Sequence, residues 1–208
     1  RLSLDLLGIP PTPAQQRRFA LDNVAGAWER LVERLLARPE FGERWARHWL
    51  DVARYGESNG YERDGTKPNA WRFRDYVIDA FNDDLPFDRF LTEQLAGDEI
   101  PESNARTQIA TTFLRLGTWD DEPADPFADR YDQLDDVLGT TASAFLGLTL
   151  RCARCHDHKF EPLSQKDYYG ILAVFTPLKR PEKIKSVTHR EEFDREVGSL
   201  AELAAYRD

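Results

Sequence analysis

The chain contains two cysteines, three positions apart, with a histidine directly behind the second: Cys152-Ala153-Arg154-Cys155-His156, within LRCARCHDHKF. On a helical turn the i, i+3 spacing brings both sulfurs to one side, close enough to bond the two vinyl groups along one edge of a haem. The histidine next in line then lies under the iron as its proximal ligand, which is the attachment pattern of haem c. The cofactor expected is one covalent haem held by Cys152, Cys155 and His156. Three other readings compete. A structural zinc site takes four ligands, and the chain has no second CxxC, so His156, His158 or a carboxylate would have to complete the set. A redox-active CxxC usually sits in a βαβ setting that this sequence lacks, while a plain local disulfide is compatible with the spacing. The pattern favours haem over all three.

The ligand opposite His156 cannot be methionine, because the chain has none. His158 leaves the chain from the same face as His156 and would have to reach across the porphyrin. His189 stands in the tail. His48 lies between Trp45 and Trp49 on an amphipathic segment, so it is the second expected iron ligand and cofactor-binding residue. A core histidine satisfied by a backbone or carboxylate partner, and an open or water-filled position, stay in play. Two histidines would place the potential below that of a His/Met cytochrome and make an electron carrier; a five-coordinate iron could bind a small molecule and react with it. Arg151 and Arg154 could pair with haem propionates, although solvated arginines are the preferred reading. Asp120, Asp121, Glu122 and Asp125, with Asp135 or Asp136, offer oxygen ligands for Ca²⁺. Their spacing is not that of an EF-hand, and a solvated loop or helix-capping carboxylates is preferred. Trp71, Tyr76, Tyr168 and Tyr169 read as core rather than as a sugar platform.

The elements that must position these residues are helical almost throughout. Thr12, Pro13 and Gln15 form a helix-start signal after a Pro-rich turn, with a short helix to about Leu21. AWERLVERLLAR repeats apolar residues at Trp28, Leu31, Val32, Leu35 and Leu36, and FGERWARHWLDVARY at Trp45, Trp49 and Val52, each a stripe expected to face a core. Residues 56–70 read as a loop. Helices are expected over 71–82, 87–95 and 106–116, and one from Tyr131 to the edge of the cysteine pair. Ser164 caps another before Pro177 ends it. Strand-type alternation is nearly missing. The fold class is all-α: a single irregular helical domain with long loops, its haem site after a long helix.

Composition narrows the partners. The 208 residues carry 28 basic and 37 acidic side chains, net −9, which argues against nucleic acid and anionic membranes as partners. No apolar run approaches the 18 residues of a membrane span. With 41% apolar residues the chain can bury a sizeable core. Methionine is absent even at position 1, so the chain reads as a processed or excised piece, and any export signal would have been upstream.

CARCHDHKFEPLSQKDYYGILAVF, FGERWARHWLDVARYGESNGYERD, NAWRFRDYVIDAFNDDLPFDRFLTEQLAGDEIP and FLRLGTWDDEPADP together resemble the planctomycete-type cytochrome c domain family, from LDLLGIPPTP to about Thr176. The resemblance implies a periplasmic or otherwise extracytoplasmic protein with another cytochrome-like domain before this one and a further domain after it. It also implies genes beside sulfatases and polysaccharide-degrading enzymes, hence a link to sulfated polysaccharide breakdown. Residues 1–178 are expected to form the cytochrome domain and 179–208 a charged helical extension or linker. The function expected is periplasmic electron transfer, with a redox partner protein or neighbouring cytochrome domain. The alternatives are a haem-dependent or carbohydrate-associated oxidoreductase with an open iron, and a non-haem scaffold or zinc module.

Overall fold

A computed structural model describes residues 1–120 and 122–178; the extension expected over 179–208 lies outside the described residues. Nine α-helices occur among them: α1 Leu2–Leu7, α2 Pro13–Ala20, α3 Ala27–Leu36, α4 Pro39–Val52, α5 Trp71–Asn82, α6 Phe87–Ala96, α7 Ala105–Ala110, α8 Pro126–Thr141 and α9 Gln165–Phe175. The described residues contain no strand, and one isolated bridge, Ser58 to Thr66, ties the loop between α4 and α5. The chain is all-α, as its periodicity predicts. No described helix is long and apolar enough to cross a membrane.

Short polar side chains start α2, α7, α8 and α9 by accepting backbone N–H groups that the first turn leaves unpaired. Thr12 and Gln15 exchange the reciprocal bonds of a capping box, as do Ser164 and Asp167 and, at α7, Asn104 and Thr107. Asp125 accepts from the N–H groups of Phe127 and Ala128 and so opens α8.

Two apolar clusters form the interior. The larger joins α4, α5 and α6 to the segment after α7, through Ala46, Leu50, Phe73, Val77, Phe90 and Phe113. The smaller gathers Leu134, Leu138, Ala142, Leu150, Ala153, Tyr168 and Leu172. Helix α8 faces both, since Val137 belongs to the first cluster and Leu134 and Leu138 to the second.

Several elements differ from the sequence reading. Along α4 the buried positions are Gly42, Ala46 and Leu50, followed by Ala53, whereas Trp45 and Val52 stay 38% and 48% exposed. Close approach to α5 explains the shift: the Gly42 N–H donates to Asn82 Oδ1 at 2.9 Å, and a methyl on Gly42 would sit 2.5 Å from the Ile78 carbonyl oxygen. At Gly42 no side chain fits without displacing α5. Trp49 turns partly inward, and its indole N–H donates to Gln94 Oε1 at 2.9 Å. On α3, Leu35 is buried but Trp28 is 53% exposed. A short helix, α1, precedes the Pro-rich turn, over residues to which the sequence reading assigns no element. The helix expected over 106–116 ends at Ala110 and tightens into a 3-10 turn, Thr111–Arg115, at a pair of β-branched threonines. Helix α8 does not reach the cysteines either. It widens into one turn of π-helix, Ala142–Leu146, and stops at Gly147, whose φ of 66° is left-handed.

The α4–α5 seam gives a direct test. Gly42→Ala is expected to lower the unfolding free energy by about 1–3 kcal/mol through overpacking. Gly170→Ala, on an open face of α9, is expected to raise it by up to about 1 kcal/mol. Urea denaturation of both variants would measure the two signs.

Candidate functional site

Residues Leu150–Arg154 form a 3-10 turn that ends at Cys155. Such a turn has three residues per revolution, so i and i+3 eclipse, and the sequence here runs in matching triplets, Leu150-Arg151-Cys152 and Ala153-Arg154-Cys155. The first members point inward. Leu150 is 2% exposed and Ala153 0%, both within the smaller cluster. The second members lie against α8, where Asp132, Asp135 and Asp136 share one face at i, i+3 and i+4. Arg151 Nη2 donates to Asp136 Oδ1 at 2.8 Å and to its carbonyl at 3.2 Å, and Arg154 Nη2 donates to Asp132 Oδ1 at 2.9 Å. Both guanidinium groups also come within 3.7 Å of the Asp135 carboxylate. The third members, Cys152 and Cys155, are exposed free thiols.

The segment beyond the turn is held from α9. His156 is exposed, and its Nδ1 lies 2.8 Å from the Asp157 carbonyl oxygen. A carbonyl only accepts, so that nitrogen carries the proton and Nε2 keeps its lone pair. The Asp157 carboxylate accepts the Gln165 N–H at 2.8 Å, at the start of α9. Gln165 Nε2 and the Tyr169 hydroxyl both donate to the Arg154 carbonyl, at 3.0 and 3.3 Å. His158 has both ring nitrogens engaged: Nδ1 accepts the N–H groups of Glu161 at 2.9 Å and Phe160 at 3.3 Å, and Nε2 lies 2.9 Å from Thr149 Oγ1.

A longer tie reaches α4. Arg54 follows that helix at φ 52°, where glycine is the usual residue. The bonds from Arg54 N–H to the Asp51 carbonyl and from Tyr55 N–H to the Leu50 carbonyl complete the helix stop. Its Nε donates to Asp136 Oδ2 at 2.6 Å, and its guanidinium lies over the Phe113 ring. Asp136 thus joins the end of α4 to Arg151 on the cysteine turn. A left-handed arginine carries backbone strain, and this ion pair, 70–80% shielded from solvent, offsets it.

The expected site residues divide accordingly. Cys152, Cys155 and His156 share one turn and its exit. His48 stands apart on α4, exposed, its ring edge-on to Trp45 at 5.5 Å. Arg151 and Arg154 stay 50% and 41% exposed, as the solvated reading expects, but their guanidinium groups are also paired with α8 carboxylates. Of the Ca²⁺ candidates, Asp121 lies outside the described residues; Asp125 caps α8, Asp120 accepts the Glu122 N–H, Glu122 pairs with Arg63, and Asp135 and Asp136 hold the arginines. Among the described residues no three His, Cys, Asp or Glu side chains converge as a metal cluster, so a four-ligand zinc site is not preassembled there. Tyr76 and Tyr168 are core as read, whereas Trp71 and Tyr169 are exposed.

These donors fit haem c. Two free thiols lie in one row on the surface, and the imidazole beside them is oriented through Nδ1 with Nε2 available, the arrangement in which a second hydrogen bond fixes a ligating ring. Exposed apolar side chains, Leu146 and Phe160, stand before and after the turn. The supporting residues, Asp132, Asp157, Gln165 and Arg54, escaped the sequence reading. The triplet LRC-ARC and the i, i+3, i+4 carboxylates on α8 were the signals that could have revealed part of that frame.

A family model, PSCyt2, described as a protein of unknown function (DUF1549), matches residues 1–180. No curated protein and no solved structure matches the chain.

Tyr168, whose hydroxyl donates to Asp135 Oδ1 at 2.6 Å, ties the turn's cluster to the carboxylate face of α8. Burial, reinforced by the Asp135 carboxylate, raises its phenol above the ordinary tyrosine value; burial likewise raises Tyr76 beside Glu93 and Tyr55 beside Glu57. Their contribution to stability is complete below the unfolded value of about pH 10 and is lost above it, because unfolding then releases phenolic protons that the fold retains. The urea midpoint is expected to fall between pH 9 and pH 11.5, and to fall less in Tyr168→Phe. A flat profile would contradict this linkage.

Proposed function

The chain belongs to the PSCyt2 family of proteins of unknown function, and from that premise we propose that it is a c-type cytochrome domain that binds one covalent haem and transfers electrons. The observation that carries this reading is the 3-10 turn, which presents Cys152 and Cys155 as a row of exposed free thiols and is followed by His156 with its Nδ1 bonded to the Asp157 carbonyl. Cys152 and Cys155 would hold the haem covalently, and His156 Nε2 would supply a ligand to its iron. The haem, when bound, supplies an iron that exchanges one electron between its ferric and ferrous states.

The chain's own residues do the positioning. Leu150 and Ala153 root the turn in the smaller core, Arg151 and Arg154 fix its rotation on α8, and Asp157 orients the axial imidazole. Ion pairs to α8 balance the two arginine charges, so the turn adds little net positive field that would raise a potential. The thiols are exposed, which suits electron exchange with a docked redox protein or a neighbouring cytochrome domain. Attachment chemistry of this kind belongs outside the cytoplasm, and a role beside sulfated polysaccharide breakdown fits the resemblance.

His158 is committed on both nitrogens, so the second axial position falls to His48 or to no described histidine. The exposed setting of His48 on a separate helix favours a second reading, in which the iron is open and the domain is a haem-dependent oxidoreductase.

Chain produced in a host with haem-attachment machinery is expected to show a covalent c-type spectrum, abolished in Cys152→Ala/Cys155→Ala; colourless wild-type product would overturn the proposal. Cyanide is expected to bind slowly and weakly if His48 ligates the iron, and His48→Ala is then expected to turn a low-spin spectrum high-spin. Rapid cyanide binding to the wild type, with His48→Ala unchanged, would select the open-iron reading.

A further inference from the structure

We propose that His158 is a positioning residue that closes the cysteine turn and its exit into a preformed loop, so that the axial imidazole is held before any cofactor arrives. The inference rests on the haem reading above. Thr149 immediately precedes the turn, and Phe160 and Glu161 follow it. The His158 ring touches both ends: Nε2 is 2.9 Å from Thr149 Oγ1, while Nδ1 accepts from Glu161 at 2.9 Å and Phe160 at 3.3 Å. Because Nδ1 accepts two N–H groups, the ring proton sits on Nε2 and is donated to Thr149. Its own backbone N–H donates to the Leu163 carbonyl at 2.8 Å, which anchors the loop a second time.

The consequence falls on His156. Upstream, Gln165 and Tyr169 hold the Arg154 carbonyl; downstream, His158 fixes the segment after Asp157. The peptide whose carbonyl orients the His156 ring is thereby tied on both sides, and the ordering entropy of that ring is met during folding instead of at cofactor capture. A histidine that is a poor iron ligand by position serves the ligand two residues before it.

The test uses the full chain in two forms. In the haem-free form, nitrogen-15 NMR is expected to show His156 protonated at Nδ1 and His158 at Nε2. Hydrogen exchange at the Phe160 and Glu161 amides is expected to be slow in the wild type and at least tenfold faster in His158→Phe, with His156 then distributed between tautomers. Thr149→Val, which removes only the far end of the clasp, is expected to give a smaller change in the same direction, and it decides the matter alone if His158→Phe loses its helical circular dichroism. Exchange within twofold of wild type and unaltered His156 tautomers would overturn the clasp. In the haem-loaded form, His158→Phe is expected to attach haem at least fivefold less efficiently and to shift the midpoint potential; a lost clasp with yield and potential unchanged would overturn the positioning role. Colourless wild type would defeat the haem reading and the positioning role built on it, while the NMR outcome would still decide whether the clasp exists.

Discussion

A 3-10 turn returns to the same direction every third residue, and the cysteine segment uses that period to send three kinds of side chain three ways. Leu150 and Ala153 enter the smaller core, Arg151 and Arg154 engage the carboxylates of α8, and Cys152 and Cys155 are left to solvent. An α-helical turn, at 3.6 residues, would smear these rows over the surface. The thiols are aligned because the two rows beside them are each fixed by something else: burial on one side and charge on the other.

That arrangement leans on α8. Its carboxylates at 132, 135 and 136 receive the turn, and Asp136 also receives Arg54 from the end of α4, 82 residues earlier in the chain. Exposed ion pairs are individually weak. Here the pairs share a rigid helix face and a buried tyrosine hydroxyl, so their worth lies in direction more than in stability. Arg54 shows the same preference, occupying a backbone conformation that suits glycine so that its side chain can reach Asp136.

Much of this was legible locally. The bounds of α5, the capping boxes at Thr12 and Ser164, and the CxxCH pattern follow from neighbours in sequence, and the structure bears out the first two directly. What sequence periodicity mistook was relational. The stripe of Trp45, Trp49 and Val52 has the right spacing for a core face, but the row of Gly42, Ala46 and Leu50 is the buried one and only Trp49 of the stripe packs against the core, because α5 approaches closely at Gly42. The periodicity carries α8 on to the edge of the cysteine pair, but Gly147, with its left-handed geometry, ends it earlier. His158 was weighed only as a ligand that would have to reach across the porphyrin; its partners, Thr149 and the 160–161 amides, become visible only once the loop is closed. The pairing of Arg151 and Arg154 with α8 was hidden likewise, since charge alone does not distinguish a solvated arginine from a clamped one.

Helix α8 contributes Val137 to one interior and Leu134 and Leu138 to the other. A wall common to two rooms cannot be removed from one of them alone. Loss of α8 would strip both apolar clusters together, so they melt as a single cooperative unit, and the cysteine turn, resting on the smaller cluster, draws its resistance to local opening from side chains it never touches.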